Sequence, residues 1–458
     1  MKTAIGYYTR PAACAASIST VSRDRSGADH VLHRAGSTSR AQAPPPPPSP
    51  ANLMNKTETR AVSALATVLA LRMAGLFLPL PVLAVYAAGL PGGSPLLTGL
   101  ALGVYGLTQG LLQIAFGAAS DRFGRKPVIT AGLLVFAAGG LIAATADSAA
   151  GLVIGRAVQG AGAVSAAVLA LTADLTRESA RAPAMAAIGV TIGAMFLLSL
   201  MLAPPLQGLI GVAGIFHLGA ALAVAAVTVL WWGVPDPGVG DARDGAAPAT
   251  PRLRVLLADR ELLRLNLGAF CLHFTLTAVF VALPPLLQVA SGLALAAHWK
   301  IYAPVLALSV LGMLPLLLAA RATATPAGGA AFAVAVGLLA AACAGLGVAA
   351  AGRFGGGIGG GLPALLSALW LFFVAFNALE ALLPSLVSRL APPAAKGAAL
   401  GVCQTFQFLG LFAGGALAGA VSGFFGAAGV YGLCAAVAGM WLVVAVTAPR
   451  RRLADESI

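Results

Sequence analysis

Charge is scarce in this chain: Asp, Glu, Lys and Arg make up 9% of it, against 59% hydrophobic residues. A soluble domain carries about a quarter charged residues, which excludes a water-facing globular surface for most of the sequence. Cysteine is sparse as well. The five copies (14, 271, 343, 403 and 434) are scattered, follow no metal-ligand or disulfide spacing, and read as small packing residues. No G-x-x-x-x-G-K-[ST] phosphate loop is present, so ATP-driven work by this chain alone is not expected. The glycine run GGGIGGG at 355–361 lacks a strand–helix context and reads as a flexible segment. No catalytic triad or metal cluster stands out, so neither an enzymatic activity nor a cofactor is expected. Residues 1–53 lack the continuous apolar core of a secretory signal peptide. They are polar, rich in Ser and Arg, end in a proline run, and cannot bury enough surface to fold. They are expected to be a disordered extension, and Met54 of MNKTETRAVSALATVLALRM offers an alternative start. A basic, Ser-rich organelle-targeting peptide is the other reading.

What the sequence has in abundance is apolar runs and small residues, including 56 Gly, which suit closely packed membrane helices. A spanning helix needs about 20 mainly apolar residues. Twelve such runs are expected, near 62–88, 97–119, 127–146, 149–172, 183–210, 214–233, 262–289, 299–320, 327–349, 363–389, 396–422 and 427–448. The runs are too long for the alternating segments of a transmembrane barrel. The expected fold is therefore an all-α polytopic membrane protein of twelve transmembrane helices in two six-helix bundles. The bundles are placed at 54–233 and 262–449, joined by a charged linker at 234–261 and followed by a tail at 450–458. The end of the linker, RLRVLLADRELLR, fits an interfacial amphipathic helix.

The net charge of +13 raises the question of nucleic acid, and the placement of the charges argues against it. Eight of the 28 Lys/Arg precede residue 62. Most of the others, including Arg122, Arg125, Lys126, Arg177, Arg181, Arg321, Arg389 and Lys396, fall in loops after even-numbered spans, while the opposite loops hold Lys300 and Arg353. That asymmetry places both termini in the cytoplasm of a multi-pass inner-membrane protein. Two halves with little extramembrane mass suit a transporter built from parallel repeats. A transporter-shaped sensor that binds a ligand without moving it is the alternative.

Ionisable groups inside spans are functional candidates. They are Arg72, Arg156, His217, His273 and Glu380, and Glu380 is the one carboxylate well inside any span. An imidazole titrates near neutral pH, so His273 is a candidate to share proton traffic with Glu380. Polar side chains recur at helical spacing. Tyr105, Gln109 and Gln113 mark one face of span 2, Arg156 and Gln159 one face of span 4, Asn377 and Glu380 one face of span 10, and Gln404 and Gln407 one face of span 11. These faces are expected to line a substrate cavity, or else to hydrogen-bond between helices with no ligand. Arg72 or Arg156 is a candidate to neutralise Glu380 across it, or to attract a polar or anionic substrate.

The loop between spans 2 and 3 reads GAASDRFGRKPVI. Gly117, Asp121, Arg122, Gly124, Arg125 and Lys126 match the G-x-x-x-D-R-x-G-R-[RK] signature of the major facilitator superfamily, which the chain resembles. LVIGRAVQGAGAV is similar to the family's R-x-x-Q-G-x-G element through Arg156, Gln159, Gly160 and Gly162. LMLAPPLQGLIG keeps Pro204 and Gly208 of an antiport-associated element, with Ala203 where the family usually has glycine. Longer stretches, among them FNALEALLPSLVSRLAPPAAKGAALGVCQTFQFLG, resemble the YajR-like branch of the proton-linked efflux proteins. A small C-terminal domain found in some members is not expected here, because ten residues follow span 12. The resemblance implies alternating access by a monomer that exchanges a small-molecule substrate against protons. It also implies a cytoplasmic latch in which Asp121 and Arg125 join Asp174. Asp121 would further favour the N-terminal end of span 11 near Ala394 to Gly397.

Overall fold

The first spanning helix begins with a reciprocal cap. Asn55 accepts from the Glu58 backbone N–H and Glu58 accepts from that of Asn55, which satisfies two donors that a helix start leaves open. In this computed structural model the described residues are 54–236, 253–322, 329–355, 361–392 and 395–447. The extension at 1–53, linker residues 237–252, most of the glycine run, Ala394 and the tail at 450–458 lie outside them.

Among the described residues the structure is helical and contains no strand. The helices are α1 (Lys56–Phe77), α2 (Leu80–Gly89), α3 (Pro95–Phe123), α4 (Arg125–Ala144), α5 (Ala149–Ala161), α6 (Ser165–Asp174), α7 (Glu178–Gly233), α8 (Leu253–Ala258), α9 (Arg260–Ser291), α10 (Trp299–Ala322), α11 (Gly329–Gly355), α12 (Leu362–Leu390) and α13 (Lys396–Val446). Spans 1 and 4 are each broken. The first is interrupted at Leu78–Pro79, where proline lacks the N–H a helix interior needs. The fourth is interrupted at Gly162–Val164. The amphipathic segment is divided at Asp259, whose carboxylate caps α9 by accepting from Glu261 and Leu262 N–H.

Helices α7 and α13 run for 56 and 51 residues, and each contains one glycine off the helical path, Gly211 (φ 69°, ψ 174°) and Gly426 (φ 62°, ψ −161°). A straight helix of 56 residues would be about 84 Å long, nearly three bilayer cores. The chain instead folds back at Gly211. Arg177, just before α7, bonds Glu58 at the start of α1, and Phe196 meets Phe77 at its end. Beyond Gly211 the order reverses: Gly219 lies against Gly75, and Gly233 against Ala64. The two glycines thus close hairpins with no intervening loop, and among the described residues the ten long apolar segments provide twelve spans.

The hairpins define one face of the molecule, and Asp121, Asp174 and Arg177 lie at the opposite face. The two halves meet along α3 and the first part of α13, antiparallel and close to the hairpin face. A Cβ added at Gly99 would fall 2.1 Å from the Gly415 carbonyl oxygen, and one at Gly106 would fall 2.3 Å from that of Phe408. Towards the Asp121 face this contact opens. At Gly110 the nearest atoms are at 3.4–3.7 Å, and Gly397 and Gly401 have nothing within 4 Å. Phe196 of α7 also meets Phe376 of α12 across the halves, with ring centroids 5.6 Å apart.

Candidate functional site

The breaks in the spans serve the polar interior. At the interruption the Gly162 carbonyl accepts from the Val164 N–H at 3.0 Å and still faces Arg72, and Ser165 is buried beside it. Arg72, fully buried on α1, donates to Tyr105 Oη and Gln109 Oε1 at 2.6 Å each, to Ser165 Oγ at 3.2 Å and to Gly162 O at 3.3 Å. Its guanidinium also lies 5.6 Å from the centre of the Phe136 ring. Every oxygen acceptor is neutral, and no carboxylate pairs with Arg72 among the described residues. Arg156 sits 5.0 Å over the Tyr105 ring and donates to Gln159 Oε1 at 2.5 Å and Ala101 O at 3.3 Å. Neither arginine reaches Glu380, which corrects the expected cross-cavity pair.

From Arg72 a directional chain of amides crosses the molecule. Gln109 accepts from Arg72 and donates to Gln113 at 3.4 Å, and Gln113 donates to Gln404 of α13 at 3.0 Å. Tyr105, Gln109, Gln113, Arg156 and Gln159 are all buried, so they do not present the expected open cavity wall. Burial of a polar group without a partner is costly, and most of these groups are partnered by each other. Ser165 and the Gly162 carbonyl escaped the sequence reading, although the glycines of QGAGAV were its signal. Those glycines also permit close approach. A Cβ at Gly160 would lie 2.3 Å from the Tyr105 carbonyl oxygen, and one at Gly162 would lie 2.3 Å from that of Gly132.

Replacing Arg72 with leucine strands several buried acceptors at once. We expect Arg72→Leu to lose roughly 3 kcal/mol or more of stability, seen as a lower thermal midpoint of the purified protein. An unchanged midpoint would show that the cluster contributes nothing.

The second constellation keeps some exposure. Glu380, its side chain 37% exposed, faces His273 of α9 with Nε2 to Oε2 at 3.6 Å. His273 Nδ1 lies 3.0 Å from the Ala269 carbonyl, a contact that requires Nδ1 to carry a proton. The other nitrogen, Nε2, faces Glu380. At 3.6 Å the two groups stand just beyond a normal hydrogen bond. Asn377, one turn before Glu380, donates to Ser309 of α10 at 3.0 Å, a partner that spacing within one helix could not reveal. Gln404 and Gln407 are half-buried, and Gln407 makes no hydrogen bond among the described residues.

At the Asp121 face, Arg125 bonds Asp121, Asp174 (2.8 Å) and Ser120 Oγ (2.7 Å). Gly124, at φ 93°, makes the turn that brings Arg125 back towards Asp121. Lys126 turns away and bonds Val234 O and Asp236, each at 2.6 Å. Arg122 lies over the Phe123 ring. A Cβ at Gly117 would meet Ala166 at an ordinary 3.7 Å, so close packing does not require glycine there. Asp121 bonds Arg125, and among the described residues no hydrogen bond or ion pair joins it to the start of α13 in this state.

Residues 65–358, which include the signature loop and the buried polar residues of the first half, match the Major Facilitator Superfamily family model. The chain belongs to the major facilitator superfamily. It is 42% identical over 394 residues to "Inner membrane transport protein YajR" of Escherichia coli (strain K12), covering 86% of this chain and 84% of that one. It is 31% identical over 362 residues to an uncharacterized transporter of Buchnera aphidicola subsp. Acyrthosiphon pisum (strain APS), covering 79% and 90%. Among solved structures, a bacterial homolog of the human lysosomal transporter Spinster superposes with a TM-score of 0.68 at 14% identity, covering 86% and 96%. The protein is thus a multi-pass membrane transporter of the YajR-like branch of this superfamily, and the superfamily's activity implies a small-molecule substrate.

Proposed function

We propose that this transporter exports a small molecule across the inner membrane in exchange for protons, with the His273–Glu380 pair carrying the proton. One observation carries the reading: among the described residues Glu380 is the only carboxylate away from a span end, and the His273 imidazole faces it at 3.6 Å. The pair gains a proton in one state and yields it in another. The direction follows from the resemblance to the efflux branch. Positive-inside counting makes the Asp121 face cytoplasmic, with both termini on that side and the six-helix halves divided by the linker. On that orientation the tight α3–α13 contact closes the periplasmic side, and the protein is open inward. Glu380, Asn377, Gln404 and Gln407 retain the exposure to meet substrate, the amide chain from Arg72 fixes the position of Gln404, and a monomer contains the whole device.

The test is flux. A compound that raises the thermal midpoint of the purified protein is loaded into proteoliposomes, and its movement is followed with and without a pH gradient. Binding without gradient-driven movement would sink the proposal.

The latch is also a proposal. Asp121, Arg125 and Asp174 would hold the first half's loop in shape in this state, and Asp121 would meet the N-terminal end of span 11 once that face closes. Asp121→Asn is expected to slow transport severalfold while leaving the protein folded. A wild-type rate in a well-expressed Asp121→Asn variant would rule the latch out.

A further inference from the structure

At the Asp121 face, the start of α1 and the end of α7 enclose an open cavity of about 450 Å³, lined by Lys56, Thr57, Arg60, Trp232, Val234 and Pro235. Among the described residues its lining holds two cations and no carboxylate. Lys56 and Arg60 lie four residues apart on one face of α1, both exposed and without an ion pair among the described residues. The acid closest in sequence, Glu58, is committed elsewhere: it accepts from Asn55 and Arg177 backbone N–H groups and pairs with the Arg177 guanidinium at 3.2 Å. The opposite wall is tied down. Lys126 bonds Val234 O and Asp236 at 2.6 Å and lies 5.7 Å from the Trp231 ring centre, which fixes the exit of α7. Trp232 stands 82% exposed on that wall, where an indole marks the boundary between acyl chains and water.

We infer that this cleft is a binding site for an anionic phospholipid, with the phosphate between Lys56 and Arg60 and the upper acyl chain against Trp232. Two cations uncompensated among the described residues match one or two negative charges, and the volume suits a headgroup. Basic pockets between spanning helices on the cytoplasmic side take such headgroups. Only the leaflet that supplies the lipid rests on the orientation proposed above.

The test titrates the full chain, purified in detergent, with phosphatidylglycerol under native mass spectrometry and repeats this with phosphatidylcholine. Wild type should hold one phosphatidylglycerol tightly and no phosphatidylcholine in its place. K56A/R60A should weaken that event about thirtyfold, since each cation near such a surface contributes about a fivefold factor. K56R/R60K should stay close to wild type. If the double variant fails to fold, K56A and R60A singly should each show about a fivefold loss. Unchanged phosphatidylglycerol affinity in the charge-removing variants overturns the site. Displacement of the lipid by millimolar inorganic phosphate, with equal thermal stabilisation, overturns the lipid assignment in favour of a free anion. Tag accessibility in intact cells reports the orientation separately, so its failure is distinct from failure of the site. In phosphatidylcholine vesicles K56A/R60A should transport as wild type does, because neither residue lies among the groups proposed to meet proton or substrate.

Discussion

Glu380→Gln is expected to abolish uphill transport driven by a pH gradient while leaving exchange of the same compound down its own gradient intact. A pH difference of one unit is worth about 1.4 kcal/mol, so one-for-one exchange against a proton supports roughly tenfold accumulation in wild type. The variant should accumulate none. Glutamine keeps the volume of the side chain and can still meet His273, but it cannot take up and yield the proton that the pair is proposed to carry. The geometry makes the result specific, because His273 Nδ1 is held on the Ala269 carbonyl and only Nε2 faces Glu380. Accumulation by a folded Glu380→Gln protein at the wild-type level would remove Glu380 from the proton route. His273→Gln, expected to weaken gradient coupling less completely, separates a pair that shares the proton from a carboxylate that works alone.

The second large effect is expected at the glycine contact between α3 and α13. A side chain at Gly99 would drive its Cβ to 2.1 Å from the Gly415 carbonyl oxygen and within 2.8 Å of Gly419 backbone atoms. Backbone cannot step aside as a flexible side chain can. Gly99→Leu should therefore force the two helices towards the 8–10 Å axial separation of ordinary helix pairs and oppose closure of the hairpin face. Overpacking costs about 1–3 kcal/mol, which moves the population of this closed arrangement by a factor of about five to more than a hundred. Spin labels at Leu96 and Phe424, both exposed beside the contact, would report the change as a longer distance than in wild type. Transport should fall with it. Wild-type distances and rates in Gly99→Leu would show that the contact does not control access.

The contrast between these two sites explains what could be read without coordinates. Span positions were legible because a bilayer imposes length and apolarity on the sequence itself. Span 10, expected at 363–389, is α12 over Leu362–Leu390. Breaks inside a span were less visible, since hydropathy averages over the backbone, and Pro79 and Gly162 are single residues in apolar runs. The polar residues were legible as faces of single helices, which spacing alone determines. Their partners were not. Arg72 meets Tyr105, Gln109, Ser165 and Gly162 because of how α1, α3 and the α5–α6 break rotate against each other, and no periodicity contains that rotation. The same gap explains why spacing could not choose between His273 and an arginine as the group facing Glu380, and why Ser309 was not paired with Asn377.

The loopless turns at Gly211 and Gly426 bear on biogenesis. Each occupies the same place in its half, between the fifth and sixth spans, and each joins two apolar helices through a single uncharged residue. A pair of this kind can enter the bilayer together as one U-shaped unit, with no polar segment to be carried across by the insertion machinery. The fifth and sixth spans of each bundle thus form a unit whose turn carries no charge.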